Sequence, residues 1–264
     1  MVPVTAQTLT HRYIEMVDSA DVYMKRERWA DAERVIVTAL KHEPANPSNW
    51  LMWSNLGVVR THLENYAGAV EAYDIGLAGA PRSTVLYSNR AWTHLAFGHE
   101  REALEDIDRT LALDSLQSWP LKMRGLLRMV KQPDRARRDL LRADSIAPDD
   151  AAVLAALGDI DAAKGRLKEA SQYYEHSLRI DNNPEVSFRL LLIMTDNDDF
   201  AEAQTRTINA LARWPKDPNL HLLRALQHRR NYNPQDALRE KNLAIGYGAD
   251  PLTVARILGE NPSK

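Results

Sequence analysis

The sequence predicts an all-α protein built as an α-solenoid of antiparallel helix pairs. An alanine returns seven times with spacings of 33 to 37 residues, and each copy stands in an apolar stripe of helical periodicity. A period near 34 residues over seven copies is typical of a repeat array, in which stacked neighbours bury a continuous core. The recurring alanines are Ala32, Ala69, Ala103, Ala136, Ala170, Ala203 and Ala237.

The copy at 50–83 shows how one repeat is built. If Trp50 is position 1, small and apolar residues at positions 4, 7 and 8 lie on one face of a first helix, and those at positions 20, 24 and 27 on one face of a second. Pro81 ends the second helix because it has no amide hydrogen and clashes with the preceding turn. The residues are Trp53, Leu56 and Gly57 in the first helix and Ala69, Tyr73 and Gly76 in the second. Trp29, at position 17 of its own copy, is also expected in the core.

This pattern, W-x-x-L-G followed by A, Y, a small residue and P, resembles the tetratricopeptide repeat. The resemblance implies a right-handed superhelix acting as a non-enzymatic protein-interaction scaffold, with a peptide or helix bound in a concave groove. One solenoid is expected over residues 1–264. Its repeats are predicted at about 13–46, 50–83, 84–117, 118–150, 151–184, 185–217 and 218–251, with a capping helix at 251–259 and a short tail at 261–264.

Composition and motifs argue against several classes of protein. The chain has 264 residues, a net charge of −2 and no cysteine, so disulfides, thiolate zinc sites and thiol nucleophiles are excluded. Phosphate-binding glycine loops and the H-E-x-x-H motif are absent from the sequence. We therefore predict no catalytic residue, no cofactor and no metal site.

The N-terminal sequence and hydropathy favour a cytoplasmic protein. Residues 1–13, MVPVTAQTLTHRY, have no basic stretch followed by an apolar run, as a signal peptide would. The aliphatic run at 190–194 is far shorter than the ~20 residues that span a bilayer. A mature exported protein whose leader had been removed would look the same.

Three repeats carry an arginine at position 7 and an acid at position 23, and neither occurs without the other. A charge facing the partner helix needs a counter-charge because an unpaired buried ion costs several kcal/mol. We therefore predict ion pairs within these repeats. The pairs are Arg90–Asp106, Arg124–Asp139 and Arg224–Glu240.

The candidate partner-binding residues lie on the first helices of the second to fourth repeats. Positions 2, 5, 9 and 12 are rotated away from the core stripe, and the resemblance implies that they face the groove. Large apolar residues on a face that could be polar are typical of a binding patch. The predicted site comprises Asn55, Val85, Asn89, Trp92, Leu95, Trp119, Lys122, Leu126 and Met129. The alternative is that these residues pack between adjacent first helices.

Two further surfaces are candidates for partners. The segment 122–142 contains eight basic residues against two acidic ones. A solvated face is the simpler interpretation, and nucleic-acid or acidic-ligand binding is the alternative function. Leu252, Val254, Ile257 and Leu258 give the last helix two apolar sides. An end repeat should present a polar face to water, so a homo-oligomer or another partner is suggested at the C-terminal end.

Overall fold

The computed structural model describes residues 11–197 and 199–260, so the predicted tail at 261–264 and the first ten residues lie outside the described residues. These ranges contain fifteen α-helices and no strand. The helices are α1 His11–Lys25, α2 Trp29–His42, α3 Asn49–His62, α4 Tyr66–Gly79, α5 Thr84–Ala96, α6 Glu100–Leu113, α7 Ser118–Arg128, α8 Pro133–Ile146, α9 Ala151–Ala163, α10 Leu167–Ile180, α11 Pro184–Asp196, α12 Phe200–Arg213, α13 Pro218–Arg230, α14 Pro234–Gly246 and α15 Pro251–Ile257.

The all-α class and the helix-pair architecture are confirmed. Two helices lie in each predicted repeat, and α15 lies in the segment predicted as a capping helix. The chain divides into two compact units, unit 1 (Met1–Val130, with α1–α7) and unit 2 (Lys131–Lys264, with α8–α15). Within each unit every helix packs against the next one along the chain. A single solenoid over all seven repeats stays a prediction.

The turn between the two helices of a repeat has a recurring backbone conformation. In five repeats the turn has three residues, and its middle residue has a positive φ, at Glu27, Glu64, Gly98, Gly165 and Tyr232. A single left-handed residue reverses the chain at low cost when it is glycine and at some cost when it is not. Because the connection is so short, the two helices of each of these five repeats are antiparallel neighbours.

The recurring alanines lie at the centre of the packing. Six of them are fully buried and Ala237 is 5% exposed. In unit 2 the last helix also contributes to the core, because Val254 and Leu258 pack with Leu222 of α13 and Ala244 of α14. One side of α15 is therefore covered by the helix pair of the seventh repeat.

Two glycines at position 8 let the paired helices approach closely. A Cβ built on Gly57 would overlap the ring of Tyr73, and one on Gly158 would lie 2.5 Å from Cε1 of Tyr174. Both tyrosine rings are buried. Because the tyrosine ring occupies the space of the missing side chain, the sequence needs glycine at these positions.

The three predicted ion pairs have different outcomes. Arg90 of α5 binds Asp106 of α6, as predicted. The Arg224–Glu240 prediction is wrong, since no ion pair joins these residues in the described part of the chain and Glu240 Oε2 lies 2.6 Å from Nδ1 of His221. The Arg124–Asp139 pair, whose members belong to different units, stays a prediction.

Candidate functional site

An open pocket of about 560 Å³ lies in unit 1 between the first helices of the third and fourth repeats. It brings together three residues of the predicted site, Asn89 and Trp92 of α5 and Trp119 of α7. The pocket is lined by Ser88, Asn89, Trp92, Gln117, Ser118, Trp119 and Pro120. We call it the tryptophan pocket. It lies where helical periodicity predicts an exposed apolar face.

The tryptophan pocket has aromatic walls and uncharged polar groups. None of its lining residues is ionisable. Nδ2 of Asn89 donates a hydrogen bond to Oγ of Ser54 at 3.1 Å, while its Oδ1 accepts none from the described residues. Trp92 is 39% exposed and Trp119 is half-buried. Chemically, the pocket offers apolar area to a side chain and hydrogen-bonding groups to a polypeptide backbone.

A row of aromatic rings leads to the tryptophan pocket. The rings of Trp29 and His62 stack at 3.9 Å between centroids with an interplanar angle of 2°. The ring of His62 lies 5.6 Å from that of Trp92. Trp29, predicted to be a core residue, is half-buried: it packs against the core of unit 1 and also stacks on the exposed His62. The row continues the aromatic surface from the third repeat back to the first.

The other six predicted residues do not line the pocket. Val85 is 49% exposed, and Leu95 and Lys122 are among five that are half-buried. The full set is Asn55, Val85, Leu95, Lys122, Leu126 and Met129.

Polar packing closes the predicted face between α3 and α5. Besides the Asn89–Ser54 hydrogen bond, Oγ1 of Thr61 lies 2.8 Å from Oγ1 of Thr93. Ser54, Thr61 and Thr93 are all buried. These three side chains therefore pack between α3 and α5, whereas the open pocket lies between the first helices of the third and fourth repeats.

Sequence periodicity did not identify every residue of this surface. Gln117, Ser118 and Pro120 belong to the α6–α7 connection and the start of α7, where the repeat pattern assigns no constant residue. His62 stands at the last residue of α3, and its stacking depends on a tryptophan from another repeat. No signal within one repeat could have identified either contact.

Several basic residues of 122–142 are paired with acids. In unit 1, Nη1 of Arg124 and Nη2 of Arg128 each lie 2.8 Å from a carboxylate oxygen of Asp108. In unit 2, Nε of Arg137 lies 2.9 Å from Oδ1 of the fully buried Asp161. Arg166 binds the same carboxylate, and these hydrogen bonds help to hold the pKa of Asp161 below its ordinary value against the opposing effect of burial. These pairs reduce the positive charge available to a ligand.

Histidine and carboxylate side chains are dispersed over the described residues. Within 11–197 and 199–260, no group of them could hold a metal ion. None of the described helices has the length and apolar content that a bilayer crossing requires.

Family models for the tetratricopeptide repeat match residues 17–84 and 151–184. The comparison with curated protein sequences finds no match. The two matched segments include the copy from which the repeat pattern was derived and the copy that opens with α9.

Solved structures show the same fold at low sequence identity. A tetratricopeptide repeat protein from Parabacteroides merdae matches with a TM-score of 0.64 and 18% identity, over 94% of this chain and 98% of that one. YrrB, described as a TPR protein with an unusual peptide-binding site, matches with a TM-score of 0.59 and 18% identity, over 70% and 97%. The APC/C hetero-tetramer Cut9–Hcn1 matches with a TM-score of 0.60 and 14% identity, over 92% and 54%.

Repeat pattern, helix pairing and family matches agree. The chain contains tetratricopeptide repeats at residues 17–84 and 151–184 and has the fold of tetratricopeptide repeat proteins, a fold that implies a scaffold for protein–protein interaction.

Proposed function

We propose that the protein is a non-enzymatic scaffold that binds an extended segment of a partner protein at the tryptophan pocket. In this proposal Trp92 and Trp119 hold an apolar side chain of the segment. Asn89, Ser88 and Gln117 bond to its backbone. The aromatic row Trp29–His62–Trp92 extends the contact area toward the first repeat.

The observation that carries the proposal is the exposure of Trp92 beside a second tryptophan in an uncharged pocket. Tryptophan is enriched among the few residues that dominate binding energy, and such residues lie in apolar pockets with a polar rim. The peptide-binding site named for YrrB, a protein of the same fold, supports a peptide ligand. The free Oδ1 of Asn89 suits a backbone N–H of an extended chain.

The test uses a displayed library of random peptides selected against the full chain. Affinities of the enriched peptides are then measured for the wild type and for Trp92→Ala and Trp119→Ala. Loss of a buried aromatic anchor is expected to weaken binding by roughly 2 kcal/mol, about thirtyfold. Tyr232→Ala is the matched control, because this ring is 94% exposed and lies in unit 2.

Two outcomes contradict the proposal. One is a selection that returns no peptide above the unselected background. The other is a set of peptides that bind both tryptophan variants as tightly as they bind the wild type.

The alternative function, nucleic-acid or acidic-ligand binding through 122–142, has weaker support. An open pocket of about 460 Å³ in unit 2 is lined by Asp134, Arg137, Arg138 and Arg166, but Arg137 and Arg166 both bind Asp161. Binding to nucleic acid falls steeply with salt concentration, whereas binding at an uncharged pocket does not. Repeating the affinity measurements at two salt concentrations distinguishes the two functions.

A further inference from the structure

A second pocket, of about 300 Å³, lies in unit 2 between α10, α11 and α12. Its floor is apolar, with Leu178, Leu190 and Leu191 from α10 and α11 and Trp214 at the end of α12. Leu190 and Leu191 are each 3% exposed, so the floor is part of the packed interior. We call it the Trp214 pocket. Its size suits one large side chain or a short alkyl chain.

The polar groups that line the Trp214 pocket include several hydrogen-bond donors that are open to a ligand. The exposed amides of Asn182 and Asn209 and the indole N–H of the half-buried Trp214 make no side-chain hydrogen bond within residues 11–197 and 199–260. A side-chain amide also carries an acceptor, but the indole and a guanidinium can only donate. The pocket therefore favours a ligand rich in acceptors.

One positive charge at the rim is available to an anion. Arg206 already pairs with two carboxylates, Glu202 at 2.6 Å and Glu175 at 3.4 Å. Arg213 pairs with no carboxylate in the described part of the chain, and its guanidinium lies 5.3 Å from the centroid of the Trp214 ring. Stacking on the indole fixes a cation beside the apolar floor. Arg213 is thus an oriented positive charge without a counter-charge.

Helix ends near the pocket have partial charges of both signs. α10 and α12 end beside it and contribute partial negative charge, while α11 begins beside it and contributes partial positive charge. Because these effects oppose one another, the helix ends do not determine the sign of the ligand charge, and Arg213 is the cation left to bind a ligand.

We propose that the Trp214 pocket is a second binding site, independent of the tryptophan pocket, for a carboxylate attached to an apolar group. The apolar group lies on Leu178, Leu190 and Leu191. The carboxylate accepts hydrogen bonds from Arg213 and from the amides of Asn182 and Asn209.

The experiment titrates the full chain with octanoate and follows the indole N–H signals of its six tryptophans by NMR. Trp214→Phe assigns the signal of Trp214. Octanoate is expected to shift this signal in a saturable way, and octan-1-ol to bind at least tenfold more weakly. A short peptide ending in leucine is tested with a free and with an amidated C-terminus, which shows whether a free fatty acid or a protein C-terminus supplies the carboxylate.

Two variants test the contribution of the charge and that of the apolar floor separately. Arg213→Gln is expected to weaken octanoate binding about tenfold, because a charge-assisted hydrogen bond is lost. Ala210→Met fills the pocket and is expected to abolish binding while Arg213 stays in place. Arg179→Gln is the matched control, since Arg179 is exposed on α10 and does not line the pocket.

The proposal is overturned if neither octanoate nor the free-carboxylate peptide shifts the Trp214 signal. It is also overturned if the neutral analogues bind equally well, or if Arg213→Gln and Arg179→Gln have the same effect. These results leave the tryptophan pocket untouched, because its residues belong to unit 1.

Discussion

Arg90 and Asp106 form a two-pronged ion pair that joins the helices of the third repeat. Nε of Arg90 lies 2.8 Å from Oδ2 of Asp106, and Nη2 lies 2.7 Å from Oδ1. Asp106 is 4% exposed, and Arg90 also binds Asp74 of α4. The hydrogen bonds to Asp106 hold the pKa of Arg90 above its ordinary value. The guanidinium thus links the third repeat to the second.

The first prediction concerns the strength of this pair. In a double-mutant cycle of Arg90→Gln and Asp106→Asn, urea unfolding is expected to give a coupling energy of about 1–3 kcal/mol, because the carboxylate is buried and held by two parallel bonds. The control is the exposed pair Lys25–Asp21, for which less than about 0.5 kcal/mol is expected. Equal coupling energies for the two pairs would contradict the prediction.

The predicted ion pairs show what repeat comparison can and cannot find. Arginine and acid at fixed positions predicted Arg90–Asp106 correctly because both side chains belong to one helix pair of constant geometry. The same rule was wrong for Arg224, since His221 stands one turn earlier on α13 and its Nδ1 reaches Glu240 first. Arg224 instead lies 3.5 Å from Oε1 of Gln227. Spacing gives the face of a helix but not which of two donors on that face will bind.

The second prediction concerns the contact between Gly57 and Tyr73. Gly57→Ala is expected to lower the free energy of unfolding by about 1–3 kcal/mol, because the new methyl group overlaps a buried ring. Gly79→Ala, at the last residue of α4, has open space around its Cβ and is expected to be neutral or stabilising. Chemical denaturation of both variants provides the measurement. If both variants lose stability, close packing against Tyr73 is not the reason for glycine at position 57.

The third prediction is that His94 makes the free energy of unfolding depend on pH. Its ring is buried, with Nδ1 3.0 Å from Oη of Tyr66 and Nε2 3.6 Å from Oδ2 of Asp106. Burial lowers the pKa of His94, while the charge of Asp106 partly offsets the effect. The unfolded chain therefore binds this proton more readily than the folded chain does.

The free energy of unfolding should consequently fall as the pH drops through the unfolded pKa of about 6.5, and the loss is complete below the folded pKa. Urea unfolding of the wild type and of His94→Gln between pH 8 and pH 5 measures the effect. The wild type is expected to lose more stability than the variant over this range. Identical pH profiles would show that His94 does not contribute.

The fourth prediction concerns the C-terminal end. Leu252 of α15 is 66% exposed and Ile257 is 39% exposed, whereas Val254 and Leu258 are buried in unit 2. If this apolar side meets a second copy, light scattering will show a mass that rises with concentration, and Leu252→Glu will abolish the rise. Leu116→Glu, at another exposed leucine in unit 1, is the control. A monomer at every concentration would exclude the homo-oligomer.

In the candidate site, too, the sequence predicted the positions that follow from the repeat but not the contacts that depend on local side-chain conformation. Trp92 and Trp119 could be placed on one surface because their positions follow from the helical period and the repeat length. The stacking of His62 on Trp29 and the contribution of Gln117 could not, since they depend on side-chain conformations at helix ends and in connections. The Trp214 pocket was missed for a related reason: it lies between helices of two neighbouring repeats, which the pattern of one repeat does not describe.

The last prediction decides whether Trp92 is an accessible anchor or a packing residue. Trp92→Ala is expected to lower the free energy of unfolding by less than about 1.5 kcal/mol, because its ring is 39% exposed and rests on the exposed His62. Tyr73→Ala, at a fully buried ring of the same unit, is expected to cost about 3–5 kcal/mol. Chemical denaturation gives both values under the same conditions. If the two variants lose equal stability, Trp92 is a packing residue that holds α5 in place. A loss of peptide affinity in Trp92→Ala would then reflect a disturbed fold and would not support binding at the tryptophan pocket.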